Sequence, residues 1–298
     1  MLDFRLKVFL LVCKHLNFSK AAEELFISQP AVSKHIHEIE AFYQSKLFTR
    51  KGTRISLTPA GYILYRHAQE IFTIHRNIEM QLASLNQEYK GTLHIGASTT
   101  AAQYFLPAAL ASFKAQYPKL KIYLSVNNTQ NIENMLLEHK INLAILEGHS
   151  KRKDLKYSPL IKDHMVLCCS AKNSYPHSAP LELKALLELP LIIREAGSGS
   201  RQVVLKALKD ASIQPSLLHI DMEFESTESI KSYLLNSNSF AFLSIGAITN
   251  ELKSGTLKTI DVKGLHILRD YHYVTEQGEN QQLNELFFKH LKAHCAKA

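Results

Sequence analysis

Four side chains between residues 29 and 37 have the types and spacing of a surface that reads nucleic acid. Gln29, Ser33 and His37 follow one another at steps of four, with Lys34 beside them, so on a helix all four share one face. Gln carries a donor and an acceptor in one plane, which matches adenine in the major groove, and Lys reaches the acceptors of guanine. Val32, Ile36 and Ile39 take the opposite face and give the helix an apolar side to bury. Just beyond, residues 46–54 hold Lys46, Arg50, Lys51 and Arg54 and no acid, a density that suits phosphate. From spacing alone, the bland alternative is a small helical domain with a solvated basic hairpin.

A second kind of chemistry is suggested by three hydroxyl-rich clusters. Ser98-Thr99-Thr100, Ser198-Gly199-Ser200-Arg201 and Ser226-Thr227-Glu228 each follow an apolar run and precede an amphipathic one. At a strand-to-helix crossing, such residues offer hydroxyls and free backbone N–H groups where the helix dipole favours an anion. N-capping alone would explain any one of them. Three aimed into one cleft point to a small anionic or zwitterionic ligand, with Glu147 covering its positive or hydroxyl end or pairing with Arg201.

Other chemistries find no support. Gly197-Ser198-Gly199-Ser200 lacks the spacing of a nucleophile elbow, and the same loop lacks the Lys of a phosphate-binding P-loop. The fifteen histidines show no metal-ligand spacing, and Cys13, Cys168, Cys169 and Cys295 form no C-x-x-C pair. No metal, cofactor or enzymatic activity is expected, and the thiols suit a reducing cytoplasm. No apolar run approaches the ~20 residues of a membrane span.

The elements that position the first face can be read locally. Phe4, Val8, Phe9, Leu11, Val12 and Leu16 define a first helix, whose core Phe18, Phe42, Leu47 and Phe48 extend. Ser19 is placed to cap a helix over 20–25. Ser28 is placed to cap the next, with Pro30 in its first turn, running to about residue 40. The basic run then reads as a two-stranded wing turning at Gly52, anchored by Phe48 and Leu57. Thr58 and Pro59 start a long helix. Along it Leu64, Ala68, Ile71, His75, Ile78, Leu82 and Leu85 recur at alternating steps of four and three, a coiled-coil seam for a second copy. At 1.5 Å per residue such a helix is roughly 45 Å long. His75 either sets the register or sits half exposed at a fraying contact.

After Gly91, a candidate hinge, short apolar runs alternate with amphipathic ones. Strands are predicted at 93–97, 121–126, 142–146, 164–170, 191–194, 218–224, 240–243, 257–262 and 267–274. Helices are predicted at 102–117, 131–139, 181–187, 201–211, 229–235 and 282–294. Such alternation implies a parallel sheet with helical crossovers.

The run A-A-x-x-L-x-I-S-Q-P-A-V-S-K-x-I, then L-F-x-R, then L-T-P-A-G, resembles the LysR-type transcriptional regulators. The resemblance implies an α+β multidomain chain. A winged helix-turn-helix occupies 1–58, a linker and dimerisation helix 59–90, and a two-lobed α/β effector domain 91–298, similar to type 2 periplasmic binding proteins. One lobe spans 92–162 and 266–298, the other 163–265. The family's base-reading positions fall on Gln29, Pro30, Ser33 and Lys34, and its backbone and wing contacts on Ser28, Arg50, Arg54 and Thr58. Lys34 is Arg in many members. The loop R-E-A-G-S-G-S-R resembles a branch that includes regulators of sulfur assimilation, with Ala196 where Pro is common and Asn238 in a stretch where Gly is frequent. Implied partners are double-stranded DNA at a dyad operator, a small-molecule effector, RNA polymerase, and copies of the chain as dimer or tetramer. The competing function is an architectural DNA binder with a vestigial pocket.

Composition agrees with this outline. The chain has 298 residues, 46% hydrophobic, and a formal charge of +8, which favours a polyanionic partner.

Overall fold

The computed structural model describes residues 3–51, 54–85, 89–148, 152–175, 180–278 and 282–296. The chain divides into two compact units, Met1–Glu88 and Tyr89–Ala298.

In the first unit, α1 (Phe4–His15) is capped by Asp3, and α2 (Phe18–Leu25) and α3 (Gln29–Phe42) follow. The cap of α2 is Asn17, not Ser19. Its side-chain carbonyl accepts from Ser19 N at 2.9 Å and Lys20 N at 3.1 Å, because Phe18 already belongs to the helix. Ser28 caps α3 as expected, accepting from Ala31 N at 3.3 Å. Val8, Phe9, Val12, Phe18, Ala21, Ala22, Val32, Ile36, Ile39 and Leu47 are buried together. Phe42 does not join them: it ends α3 on the outside, 78% exposed, and Phe4 and Leu16 also face solvent.

Strands β1 (Phe48–Lys51) and β2 (Arg54–Leu57) pair antiparallel with Phe48 opposite Leu57, and α4 (Pro59–Leu85) follows. A buried acid ties this hairpin to α3. Glu40 accepts from Lys46 Nζ at 2.7 Å and from Leu47 N at 2.9 Å. Thr58 Oγ1 accepts from Gly61 N at 3.0 Å, which makes it the cap of α4. The seam proposed along α4 divides in two. Ala68 is fully buried in the core of its own unit and so is not left for a second copy, whereas Leu64 is half-buried and packs against that core. Ile71 and Ile78 are exposed, together with Ile74, which the seam did not include. The side chains of Leu82 and Leu85 lie outside the described residues.

The second unit is built on a nine-stranded sheet. One half holds β3 (Gly91–Ser98), β4 (Leu120–Asn127) and β5 (Leu143–Glu147), all parallel. The other half holds β7 (Leu191–Arg194), β8 (Ile220–Phe224) and β9 (Phe240–Ser244), also parallel. The sheet as a whole is mixed, not parallel. The long strands β6 (Leu155–Ser170) and β11 (Ile267–Glu276) join the halves and run antiparallel to their neighbours β9 and β5. β10 (Leu257–Ile260) also pairs antiparallel with β6. Residue 162 therefore falls inside a continuous strand.

Helices α5 (Leu106–Gln116), α6 (Thr129–Leu137), α7 (Gly199–Asp210), α8 (Thr227–Leu234), α9 (Thr249–Lys253) and α10 (Gln282–Cys295) connect or close these strands. A π-helical turn, Ala101–Phe105, precedes α5 where one continuous helix was expected, and the helix expected at 181–187 is a 3-10 segment, Leu183–Glu188. Cys168 and Cys169 are core residues of β6, and burial pushes both thiols up. Among the described residues no helix is long and apolar enough to cross a membrane.

Candidate functional site

The N-terminal end of α3 brings the predicted reading residues to one open face. Gln29, Pro30, Lys34 and His37 are exposed, and Ser33 is half-buried beside them. Gln29 Nε2 donates to Ser33 Oγ at 2.8 Å, which holds the amide on the face. His37 Nδ1 lies 3.4 Å from Glu40 Oε2 at the far end of the same face. Two hydroxyls assigned to phosphate also serve as helix caps. Ser28 caps α3, and Thr58 Oγ1 donates to Lys46 O at 2.6 Å while capping α4. The backbones of Arg50, Lys51 and Arg54 lie on the hairpin; their side chains lie outside the described residues. Phe26 was not foreseen. It ends α2 in the left-handed region, φ 55, and is 96% exposed next to the turn that leads into α3.

The second constellation lies where the two halves of the large sheet meet. Glu147 ends β5 with 2% exposure. It accepts from the Ser98 hydroxyl and, at 3.1 Å, from Ser200 Oγ. Its expected partner Arg201 is elsewhere, donating to Arg194 O and to Glu223 on β8. The cation that faces Glu147 is Arg269 on β11, with Nη1 3.7 Å from the carboxylate. Arg269 is fully buried. It donates to Asp163 Oδ2 at 2.7 Å, to Ser200 Oγ at 2.7 Å and to the Tyr271 hydroxyl at 2.8 Å. Burial opposes its charge, but Tyr271, Glu147 and Asp163 outweigh burial and leave its pKa above the ordinary value.

Arg194 ends β7 and gives the cleft a second guanidinium. Its Nε and Nη2 donate to Glu195 at 2.7 and 3.0 Å. Its remaining contacts reach both halves: Nη1 to Thr227 Oγ1 at 3.3 Å and Nη2 to Thr99 Oγ1 at 3.4 Å. Ser198 caps α7, accepting from Arg201 N at 3.4 Å. Gly199 has no room for a side chain, since a Cβ there would stand 1.9 Å from Glu147 O. At Gly197, φ is +88°, and its carbonyl accepts from Gln130 N at 3.2 Å across the cleft. Thr100 Oγ1 is buried and, among the described residues, finds no hydrogen-bond partner.

Thus Ser98, Thr99, Glu147, Ser198, Gly199, Ser200 and Thr227 do converge, and Thr100 adds an unused hydroxyl. What the residue pattern missed is the charge that joins them: Arg194, Glu195, Arg269 and Asp163. Arg194 and Glu195 open the R-E-A-G-S-G-S-R loop but carried no assigned role, and Arg269 and Asp163 stand on two other strands, β11 and β6, with nothing local to mark them. A cavity of about 20 Å³, the size of one water, is lined by Arg194, Ser200 and Arg201 of this cleft and by apolar residues such as Ile192, Val204 and Phe242. Among the described residues no group of three or more His, Cys, Asp or Glu could hold a metal ion.

Comparison with known proteins adds to this geometry. Residues 4–62 match the family model "Bacterial regulatory helix-turn-helix protein, lysR family", and residues 86–296 match "LysR substrate binding domain". The chain is similar to the HTH-type transcriptional regulator CbbR of Rhodospirillum rubrum, 32% identical over 93% of this chain and 90% of that protein. It is similar also to the HTH-type transcriptional regulator CysL of Bacillus subtilis (strain 168), 28% identical over 97% of this chain and 96% of the other. Among solved structures, the regulatory domain of CcmR from Synechocystis PCC6803 in complex with 2-PG superposes with a TM-score of 0.63 at 24% identity. It covers 69% of this chain and 98% of that domain, a likeness of fold.

Proposed function

Because the chain belongs to the LysR family of bacterial transcription regulators, we propose that α3 reads a dyad operator while the cleft around Arg194 takes a small anionic or zwitterionic metabolite. The chain is a DNA-binding transcription regulator under effector control. In this reading Gln29, Ser33 and Lys34 meet base edges, and the wing holds phosphates. The exposed isoleucines of α4 meet a second copy, and the cytoplasm is where the protein acts. Ser28 and Thr58 support the reading as caps that fix α3 and α4.

The observation that carries the effector half is Arg194. It is a buried guanidinium whose outer donors reach Thr99 from one half of the sheet and Thr227 from the other. A ligand anion held there touches both halves at once, and its differential affinity for their arrangement is the free energy available to move them. The halves act as two lobes joined through β6 and β11. CcmR, of the same fold, is described in complex with 2-PG, which makes 2-PG a fitting first probe.

Thermal unfolding of the full chain with 2-PG, phosphate, sulfate and acetate tests this. A ligand at 100 times its Kd adds about 2.7 kcal/mol. A shift with at least one of them that Thr99→Val removes, with operator binding kept, is the expected result. No shift and no change in operator binding with any of them would favour an architectural DNA binder instead.

A further inference from the structure

We propose that Glu195 is a built-in counter-anion: its carboxylate occupies the guanidinium fork of Arg194, and an effector gains that fork by displacing it. The proposal rests on the reading above, that the cleft takes an anion, and assigns the residue that sets how tightly it does so.

The geometry is that of a ligand already in place. Glu195 accepts from Nε of Arg194 at 2.7 Å and from Nη2 at 3.0 Å, the two-point match that a free carboxylate or phosphate makes with arginine. The other two contacts of Arg194, with Thr227 and Thr99, are long, at 3.3 and 3.4 Å. They are donors that can shorten onto an incoming oxyanion.

Charge balance explains why displacement is required. Around Arg194 cations are already committed: Arg194 and Arg269 face three buried carboxylates, Glu147, Asp163 and Glu195, while nearby Lys231 is paired with Glu228 and Glu251 and Arg201 with Glu223. A fourth negative group added to these would be buried without a cation of its own, which is strongly unfavourable. An exchange of one anion for another leaves the balance untouched.

Only Glu195 is placed to leave. Asp163 is held by two nitrogens of the fully buried Arg269, and Glu147 is enclosed by Ser98, Ser200 and Arg269. Exposure does not separate Glu195 from Asp163, at 11% and 10% of the side chain; their partners do, since the Arg194 fork has further donors at Thr99 and Thr227 whereas Arg269 is fully enclosed. As the next residue in the chain after Arg194, Glu195 can swing away by side-chain rotation while β7 and α7 stay where they are. The ligand class that fits is a small molecule with one carboxylate or phosphate head.

Calorimetric titration of the full-length protein with phosphate, acetate and 2-PG provides the test, using wild type, Glu195→Gln and the double variant R194Q/E195Q. Glutamine keeps the shape of Glu195 and removes its charge. E195Q should bind at least one of these anions about tenfold or more tightly than wild type, and the double variant should bind none. Equal affinities in wild type and E195Q would overturn the displacement and leave the anion site standing. Tighter binding that survives in R194Q/E195Q would also overturn it, by moving the anion elsewhere. No heat with any of the three proteins would overturn both readings. Should E195Q not fold, crystals of the wild type soaked in phosphate decide. Phosphate on Arg194 with Glu195 rotated out supports the exchange, whereas Glu195 still on the fork beside bound phosphate, or no phosphate on Arg194, overturns it.

Discussion

The reading face of α3 and the cleft of the second unit handle polar groups in opposite ways. On α3, Gln29, Lys34 and His37 stand in solvent. In the cleft, Arg194 and Arg269 are almost wholly buried, and each is held by a carboxylate and by hydroxyls. A surface that meets a large polyanion gains by displacing counterions and needs little prior order. A pocket that meets a small molecule must arrange charge beforehand, and buried charge survives only in company. The two regions should therefore fail differently: the first in affinity with stability kept, the second in stability as well.

The largest effect tests that contrast directly. Replacing Arg269 by methionine leaves Asp163 and Glu147 buried without their cation, and removing one partner of a buried pair costs about 3–5 kcal/mol. Denaturant unfolding of the full chain should show the second unit destabilised while the Met1–Glu88 unit keeps its midpoint. Lys34→Ala should change stability by less than about 0.5 kcal/mol, as exposed substitutions do. Equal destabilisation by the two variants would erase the distinction.

Gly199→Ala comes next. The added Cβ would sit 1.9 Å from Glu147 O and 2.6 Å from Thr129 Oγ1, so backbone must move and the two halves separate. Overpacking of this kind costs about 1–3 kcal/mol. Operator binding should persist and the response to any effector should be lost. A variant that kept both would mean that this close approach has no part in switching.

The same contrast explains what could be read from residue order. The DNA-reading half was legible because its parts are neighbours. Ser28, Pro30, Ser33 and Lys34 sit within one helix start, and a cap, a first-turn proline and a 3.6-residue period are local facts. The local errors were small for the same reason. Asn17 took the cap from Ser19 because Phe18 starts the helix one residue earlier. The seam on α4 fails at Ala68, because the pattern shows that a stripe is apolar and not whether the unit's own core or a second copy covers it. In the cleft, the hydroxyl clusters were visible as strand-to-helix crossings. Arg269 was not, since an arginine in an alternating strand reads as a solvated residue until Asp163, 106 positions away, is brought to it. The mixed sheet was hidden likewise: alternation of strands and helices does not reveal that β6 and β11 run against their neighbours.

Base reading should be the next effect in size. Gln29→Ala removes a side chain suited to adenine, and a good two-point contact discriminates by about 1–3 kcal/mol. Operator affinity should fall by that amount while weak, salt-sensitive binding to random DNA survives. Arg50→Ala should weaken both about equally and lower the salt slope by about 1. Gel-shift titrations across salt concentrations separate the two. Equal loss on operator and random DNA for Gln29→Ala would remove the base-reading role.

The smallest effect concerns Glu40, the buried carboxylate of the first unit among the described residues. Burial alone would raise the pKa of Glu40, but the Lys46 ammonium and the Leu47 N–H outweigh it, and the net shift is downward from 4.5. A carboxylate whose pKa is lower in the folded state stabilises the fold at pH values above its unfolded pKa. That contribution fades as pH falls through the folded value. Glu40→Gln should therefore destabilise the unit by about 1 kcal/mol at neutral pH, and the gap from wild type should narrow below pH 4.5. Helical circular dichroism of the isolated unit against pH is not needed; urea midpoints of the full chain, followed through its first transition, suffice. A gap that stayed constant down to pH 3 would show that Glu40 acts by shape alone, and that the N-terminal unit, unlike the cleft, owes nothing to buried charge.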